Sequence, residues 1–169
     1  MNVELPTAAD TARLGRVLGR LLQAGDLVLL TGPLGAGKTV LAQGIGAGLG
    51  VAGPVVSPTF VIARVHRGGR LPLVHVDAYR LGSVAEVDDL DLDAELAESV
   101  TVVEWGGGLV EQLADAHLTV RLDRAESGER RTAVLRPHGG SWPERAAAAA
   151  GALLDPVGSP VSSARRTAG

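Results

Sequence analysis

The sequence predicts an α/β fold in three layers, with a central sheet of mixed parallel and antiparallel strands. Three observations predict it. The apolar run Leu27-Val28-Leu29-Leu30 leads straight into a glycine-rich loop, Gly32-Pro33-Leu34-Gly35-Ala36-Gly37-Lys38-Thr39. That loop opens a segment with Leu41, Ile45 and Leu49 on one helical face. Two further pairs of apolar runs are separated only by short turns, as in β-hairpins. Hairpins join antiparallel strands, whereas a strand–loop–helix unit sits among parallel ones, so both kinds of neighbour are expected in one sheet.

In chain order, Thr7-Ala8-Ala9-Asp10 has the form of a helix N-terminus. Leu14, Val17, Leu18, Leu21 and Leu22 then repeat at three and four, which predicts an amphipathic helix ending near Gly25. After the glycine loop a helix runs from about Lys38 to Leu49. Glycines 44, 46 and 48 should weaken it by roughly 0.5–1 kcal/mol each relative to alanine. Strands are expected over Phe60–His66 and Leu71–Asp77, joined by the turn Arg67-Gly68-Gly69-Arg70. The acidic stretch Glu86–Glu98 reads as one or two short surface helices. Val100–Val103 is another buried strand, ending at Glu104. His117–Asp123 and Arg131–Arg136 form a second hairpin around Ser127-Gly128, and Trp142–Leu154 reads as a helix. The organisation that follows is a P-loop domain over 1–136, a C-terminal helix within 137–154 and a tail over 155–169 too rich in Pro, Gly, Ser and Arg to stay ordered.

With 169 residues the chain suits one domain with a real core. No cysteine is present, which excludes disulfides, thiol catalysis and thiolate metal sites. Net charge is −3 without any Lys/Arg block, so a broad electrostatic grip on nucleic acid is not indicated. The N-terminus lacks signal-peptide order, and no apolar run approaches the ~18 residues of a membrane span. A soluble, cytoplasmic protein is expected.

Gly-x-x-x-x-Gly-Lys-Thr is the phosphate-binding P-loop, and its strand–loop–helix setting makes the match strong. Its glycines let successive backbone N–H groups curl around a di- or triphosphate, where side chains would obstruct. Lys38, the single lysine among 16 Lys and Arg residues, is a compact charge on a flexible stem able to reach β/γ oxygens. The Thr39 hydroxyl is placed to ligate Mg²⁺. ATP or GTP is the expected ligand.

A partner acid for Mg²⁺ is expected at the carboxyl end of a nearby strand. Asp77 and Glu104 each end an apolar run. One can serve the metal and the other orient the attacking water; spacing leaves the division open. Asp77 as a helix cap and Glu104 as an ordinary strand-end residue are the bland readings. Ser57-Pro58-Thr59-Phe60 lies where nucleotide hydrolases carry a γ-phosphate-sensing switch, with Thr59 offering a hydroxyl, or it is a simple turn. Arg80 meets a phosphate or pairs with the acidic stretch. His66, His75, His117 and His138 show no metal spacing and are assigned to packing. The fifteen arginines are read as mostly solvated surface charge.

Leu34–Thr39, Ser57-Pro58-Thr59-Phe60, His75-Val76-Asp77-Ala78-Tyr79-Arg80 and Val103-Glu104-Trp105 occur in that order. Over about residues 4–136 this set resembles the bacterial ATPase family of tRNA N6-threonylcarbamoyladenosine biosynthesis, called TsaE. The resemblance implies a small Mg²⁺- and ATP-dependent hydrolase working with a threonylcarbamoyl transferase subunit and its scaffold paralogue. It would touch tRNA only through that complex, which modifies adenosine 37 of tRNAs reading codons that begin with adenine. Residues carried over as nucleotide contacts are Gly32, Leu34, Gly35, Ala36, Gly37, Lys38, Thr39, Thr59, Asp77 and Gly128, with the segment around Thr7-Ala8 nearby. Thr39 and Glu104 are implied Mg²⁺ ligands, and Lys38, Asp77 and Glu104 catalytic residues. Two other functions fit a P-loop of this size. A small-molecule kinase would need a substrate-binding insert and a basic lid, neither evident here. A nucleotide-gated interaction module would dock through the acidic stretch.

Overall fold

The computed structural model describes residues 1–58, 63–78, 97–105 and 114–154. These hold seven strands: β1 (Asn2–Leu5), β2 (Leu27–Thr31), β3 (Ala63–His66), β4 (Leu73–Asp77), β5 (Val100–Glu104), β6 (His117–Arg124) and β7 (Arg131–His138). The helices are α1 (Ala8–Leu21), α2 (Lys38–Leu49) and α3 (Trp142–Leu154). One sheet contains all seven strands in the order β1-β7-β6-β2-β5-β4-β3. Its centre is parallel, β2 pairing with both β5 and β6, and β4 with β5. Its flanks are antiparallel, through β3–β4 on one side and β6–β7–β1 on the other. The mixed α/β sheet predicted from the hairpins is therefore observed.

Strand alternation divides the core into two faces. Val28, Leu30, Leu73, Val100, Val102, Leu118, Val120 and Leu122 point toward α1, α2 and α3 and form the main cluster with Leu14, Leu18, Leu41 and Ile45. Leu27, Leu29, Val74, Val76 and Val103 form a second buried cluster on the other face, as a layered fold requires.

α1 begins as the sequence indicated. Thr7 accepts from the Asp10 backbone N–H while the Asp10 carboxylate accepts from that of Thr7, closing a capping box. α1 then lies unusually close to α2, because Gly15 and Gly19 of one helix face Gly44 and Gly48 of the other. A Cβ added at any of the four would come within 3.0 Å of backbone in the opposite helix. The glycines that look like weak points in an isolated helix are thus the condition for this approach. Gly46 faces the other way, toward Val55.

Strand β1 has no counterpart in the sequence reading. Four residues give too short an alternation to detect, yet Val3 and Leu5 are buried and the strand pairs with β7. β7 itself runs two residues further than expected, to His138. α3 joins the main core through Trp142, Ala146 and Ala149. Arg145 secures it by stacking over Trp142, pairing with Asp26 and donating to the Leu21 carbonyl. Phe60–Ile62, the acidic stretch before Ala97 and the tail after Leu154 lie outside the described residues. No helix among the described residues is long and apolar enough to cross a membrane.

Candidate functional site

Strand β2 ends at Thr31, and the chain must turn at once from the sheet into α2. Glycine is required at the turn: Gly32 has φ 133°, and a Cβ there would collide with the Leu122 carbonyl of β6. Gly37, the N-cap of α2, is also left-handed at φ 104° and provides no side-chain cap. A helix N-terminus without a side-chain cap is the geometry on which anion binding at helix starts ordinarily rests.

Lys38 is buried, with 5% of its surface exposed. Its Nζ donates to the carbonyls of Gly32 and Pro33, both at 2.8 Å, and lies 3.8 Å from the centre of the Trp105 ring. Burial lowers its pKa from the ordinary lysine value, while the nearby charges of Glu104 and Asp77 act in the opposite direction. Trp105 itself is held at φ 63°, the only non-glycine residue with positive φ among those described, and its N–H donates to the Leu30 carbonyl at 3.1 Å. Such a conformation costs on the order of 1–3 kcal/mol and persists where neighbours fix it, here directly after Glu104.

The two predicted acids come together because their strands are parallel neighbours in register. Asp77 of β4 is paired with Glu104 of β5, at the last position of each strand and on the same face as α2. Both are buried. His75, two residues before Asp77 and so on that same face, places Nε2 2.8 Å from Glu104 Oε1. Where the carboxylate is ionised it only accepts, and the bond then takes the tautomer with its proton on Nε2. His75 is thus more than the packing residue expected: it is fully buried, and it also holds Glu104.

A cleft of about 590 Å³ opens over the loop. Leu34, Gly35, Gly37, Lys38 and Thr39 line one wall, and Asp77, Glu104 and Trp105 the other, with Ser57 and Arg131 completing the rim. Gly32 and Ala36 support this arrangement from beneath, through the carbonyl that holds Lys38 and through a fully buried side chain. Gly128 does not line the cleft; it shapes the β6–β7 turn at φ 85°, and the hairpin enters the cleft through Arg131. α1 approaches the loop through Thr11, whose Cγ2 is 3.6 Å from where a Gly37 Cβ would lie. Thr59, Tyr79 and Arg80 are outside the described residues.

The donor set is all oxygen: the Thr39 hydroxyl and two carboxylates, with no cysteine in the chain. That suits a hard cation such as Mg²⁺, which is commonly held by one or two protein carboxylates plus substrate phosphates. Among the described residues no group of three His, Cys, Asp or Glu side chains is arranged to hold a metal by itself.

Comparison with known proteins adds the family. The profile described as "Threonylcarbamoyl adenosine biosynthesis protein TsaE" matches residues 5–133. A tRNA threonylcarbamoyladenosine biosynthesis protein TsaE from Streptomyces coelicolor is 64% identical over 115 residues, covering 66% of this chain and 78% of the relative. One from Mycobacterium tuberculosis is 52% identical over 138 residues, 76% and 82% of the two chains. The crystal structure of Bacillus subtilus YdiB superposes with a TM-score of 0.71 at 27% identity, covering 88% of this chain and 93% of that one.

Proposed function

Because the chain belongs to the TsaE family of threonylcarbamoyl adenosine biosynthesis proteins, we propose that it is a Mg²⁺-dependent P-loop ATPase acting in tRNA modification. In this reading it supports turnover of a threonylcarbamoyl transferase and its scaffold paralogue in the cytoplasm. Their product is threonylcarbamoylated adenosine 37 in tRNAs reading codons that begin with adenine. One observation carries the reading: Lys38 and Thr39 face Asp77 and Glu104 across a single cleft at the carboxyl ends of β4 and β5. Ligands gather at that end of such sheets.

In this reading each group has its own role. Backbone N–H groups of the loop and of the start of α2 hold the β- and γ-phosphates, and Lys38 moves from its carbonyl partners toward the γ oxygens as they arrive. Thr39 and Glu104 hold Mg²⁺, with His75 fixing the direction of the Glu104 carboxylate. When bound, Mg²⁺ neutralises charge on the β- and γ-phosphates and fixes their orientation. Asp77 orients the attacking water and accepts its proton. Thr59 is the proposed γ-phosphate sensor. Leu34, 91% exposed, lines the cleft beside the loop.

Phosphate release by the purified chain, alone and with the transferase pair, tests the activity directly; no release in either case refutes it. Asp77→Asn should leave Mg·ATP affinity within a few-fold of wild type while hydrolysis falls about a hundredfold, in line with loss of one charge-positioning group. Glu104→Gln should instead remove the Mg²⁺ dependence of ATP affinity in calorimetry with and without the metal. Wild-type Mg²⁺ dependence in Glu104→Gln would transfer the metal to Asp77. His75→Ala should raise the Mg²⁺ concentration needed for half-maximal ATP binding by about ten- to a hundredfold, the usual effect of losing a partner behind a ligand. An unchanged Mg²⁺ titration would leave His75 as a packing residue.

A further inference from the structure

The peptide between Ala36 and Gly37 is gripped from outside the phosphate loop. Arg131, the first residue of β7, donates from Nε to the Ala36 carbonyl at 3.1 Å, across 95 residues of sequence. Its Nη1 donates to the Glu129 carbonyl at 2.7 Å, which ties the guanidinium to its own hairpin. The backbone of Arg131 is fixed on both sides, opposite Leu5 of β1 and Arg124 of β6. Gly37 makes room for this grip: a Cβ there would lie 3.2 Å from Arg131 Nε and 3.4 Å from its Cδ.

In a trans peptide the carbonyl and the following N–H point in opposite directions, and no cis peptide is present among the described residues. Holding the Ala36 oxygen toward β7 therefore aims the Gly37 N–H away from β7. Gly37 has no side chain to set this orientation, and its φ is one that other residues avoid. We propose that Arg131 is a positioning residue for nucleotide binding, presetting the Gly37 N–H for the β-phosphate through the Ala36 carbonyl. The inference rests on the nucleotide-binding reading above and adds to it a brace from the β6–β7 hairpin.

The full chain, ¹⁵N-labelled, tests this with Arg131→Ala and Arg131→Lys. In Arg131→Ala, calorimetric affinity for both Mg·ATP and Mg·ADP should fall about tenfold, the scale of one charged hydrogen bond. The Gly37 amide resonance should already be displaced before nucleotide is added. Arg131→Lys, whose ammonium can still reach the carbonyl, should recover most of the affinity and the resonance position. Arg131→Ala with wild-type affinity overturns the proposal, as does lost affinity with an unmoved ligand-free Gly37 amide, which would mean direct phosphate contact. Wild-type protein that binds neither nucleotide would instead overturn the functional reading itself.

Discussion

Lys38→Ala is expected to weaken Mg·ATP binding by at least tenfold and to abolish ATP hydrolysis. The Lys38 ammonium is shared by two carbonyls and the face of Trp105, and it lies close to both carboxylates. Hydrogen bonds to a charged group are worth about 1.5–3 kcal/mol, so losing one in the nucleotide complex gives at least a tenfold change. The effect on hydrolysis should be larger, because charge grows on the γ oxygens and the leaving oxygen as the reaction proceeds. Removing the cation also leaves Asp77 and Glu104 side by side without it, which makes the cleft less welcoming to an anion. Lys38→Arg should not restore activity: the planar fork cannot occupy the space between the Gly32 and Pro33 carbonyls as a compact ammonium does. Calorimetry and phosphate release check the first effect. The tRNA modification level, measured in cells where the variant replaces the native protein, checks its consequence. Wild-type binding by Lys38→Ala would remove the P-loop from the mechanism.

Much of this site was legible from sequence because its residues are local or lie at strand ends. The P-loop is contiguous, and its strand–loop–helix setting can be read from eight residues and the runs beside them. Asp77 and Glu104 each close an apolar run, and parallel strands bring such ends to one edge of a sheet. What could not be read depends on contacts between distant segments. Arg131 is one arginine among many, and only the register of β7 between β1 and β6 carries it to the Ala36 carbonyl. The His75–Glu104 bond needs β4 and β5 to be adjacent, which alternation within either strand cannot reveal. Strand β1 gains its stability from β7 rather than from any propensity of Asn2–Leu5. Gly44 and Gly48 of α2 follow the same logic: a helix propensity describes an isolated helix, and their value lies in the close contact with α1.

Gly44→Ala should destabilise the fold by about 2–3 kcal/mol, the scale of overpacking at a tight contact. It should lower the unfolding midpoint by roughly 4–12 °C for a domain of this size. Alanine favours a helix over glycine by about 0.5–1 kcal/mol, so propensity alone predicts the opposite sign. Packing decides, because the new methyl would meet the Ala12 carbonyl and the Gly15 Cα, which are backbone atoms of α1 and cannot rotate aside. The helices would have to separate, loosening Leu14, Leu18, Leu41 and Ile45, all nearly fully buried between them and the sheet. Gly151→Ala is the matched control. It lies in α3 with nothing within 4 Å of the added Cβ, so propensity acts unopposed and a small gain in stability is expected. α2 begins at the phosphate loop, so displacing it at Gly44 also shifts Lys38 and Thr39, and nucleotide affinity should fall together with the midpoint. Gly44→Ala matching Gly151→Ala in thermal unfolding would show that α1 and α2 do not touch as closely as their four glycines allow.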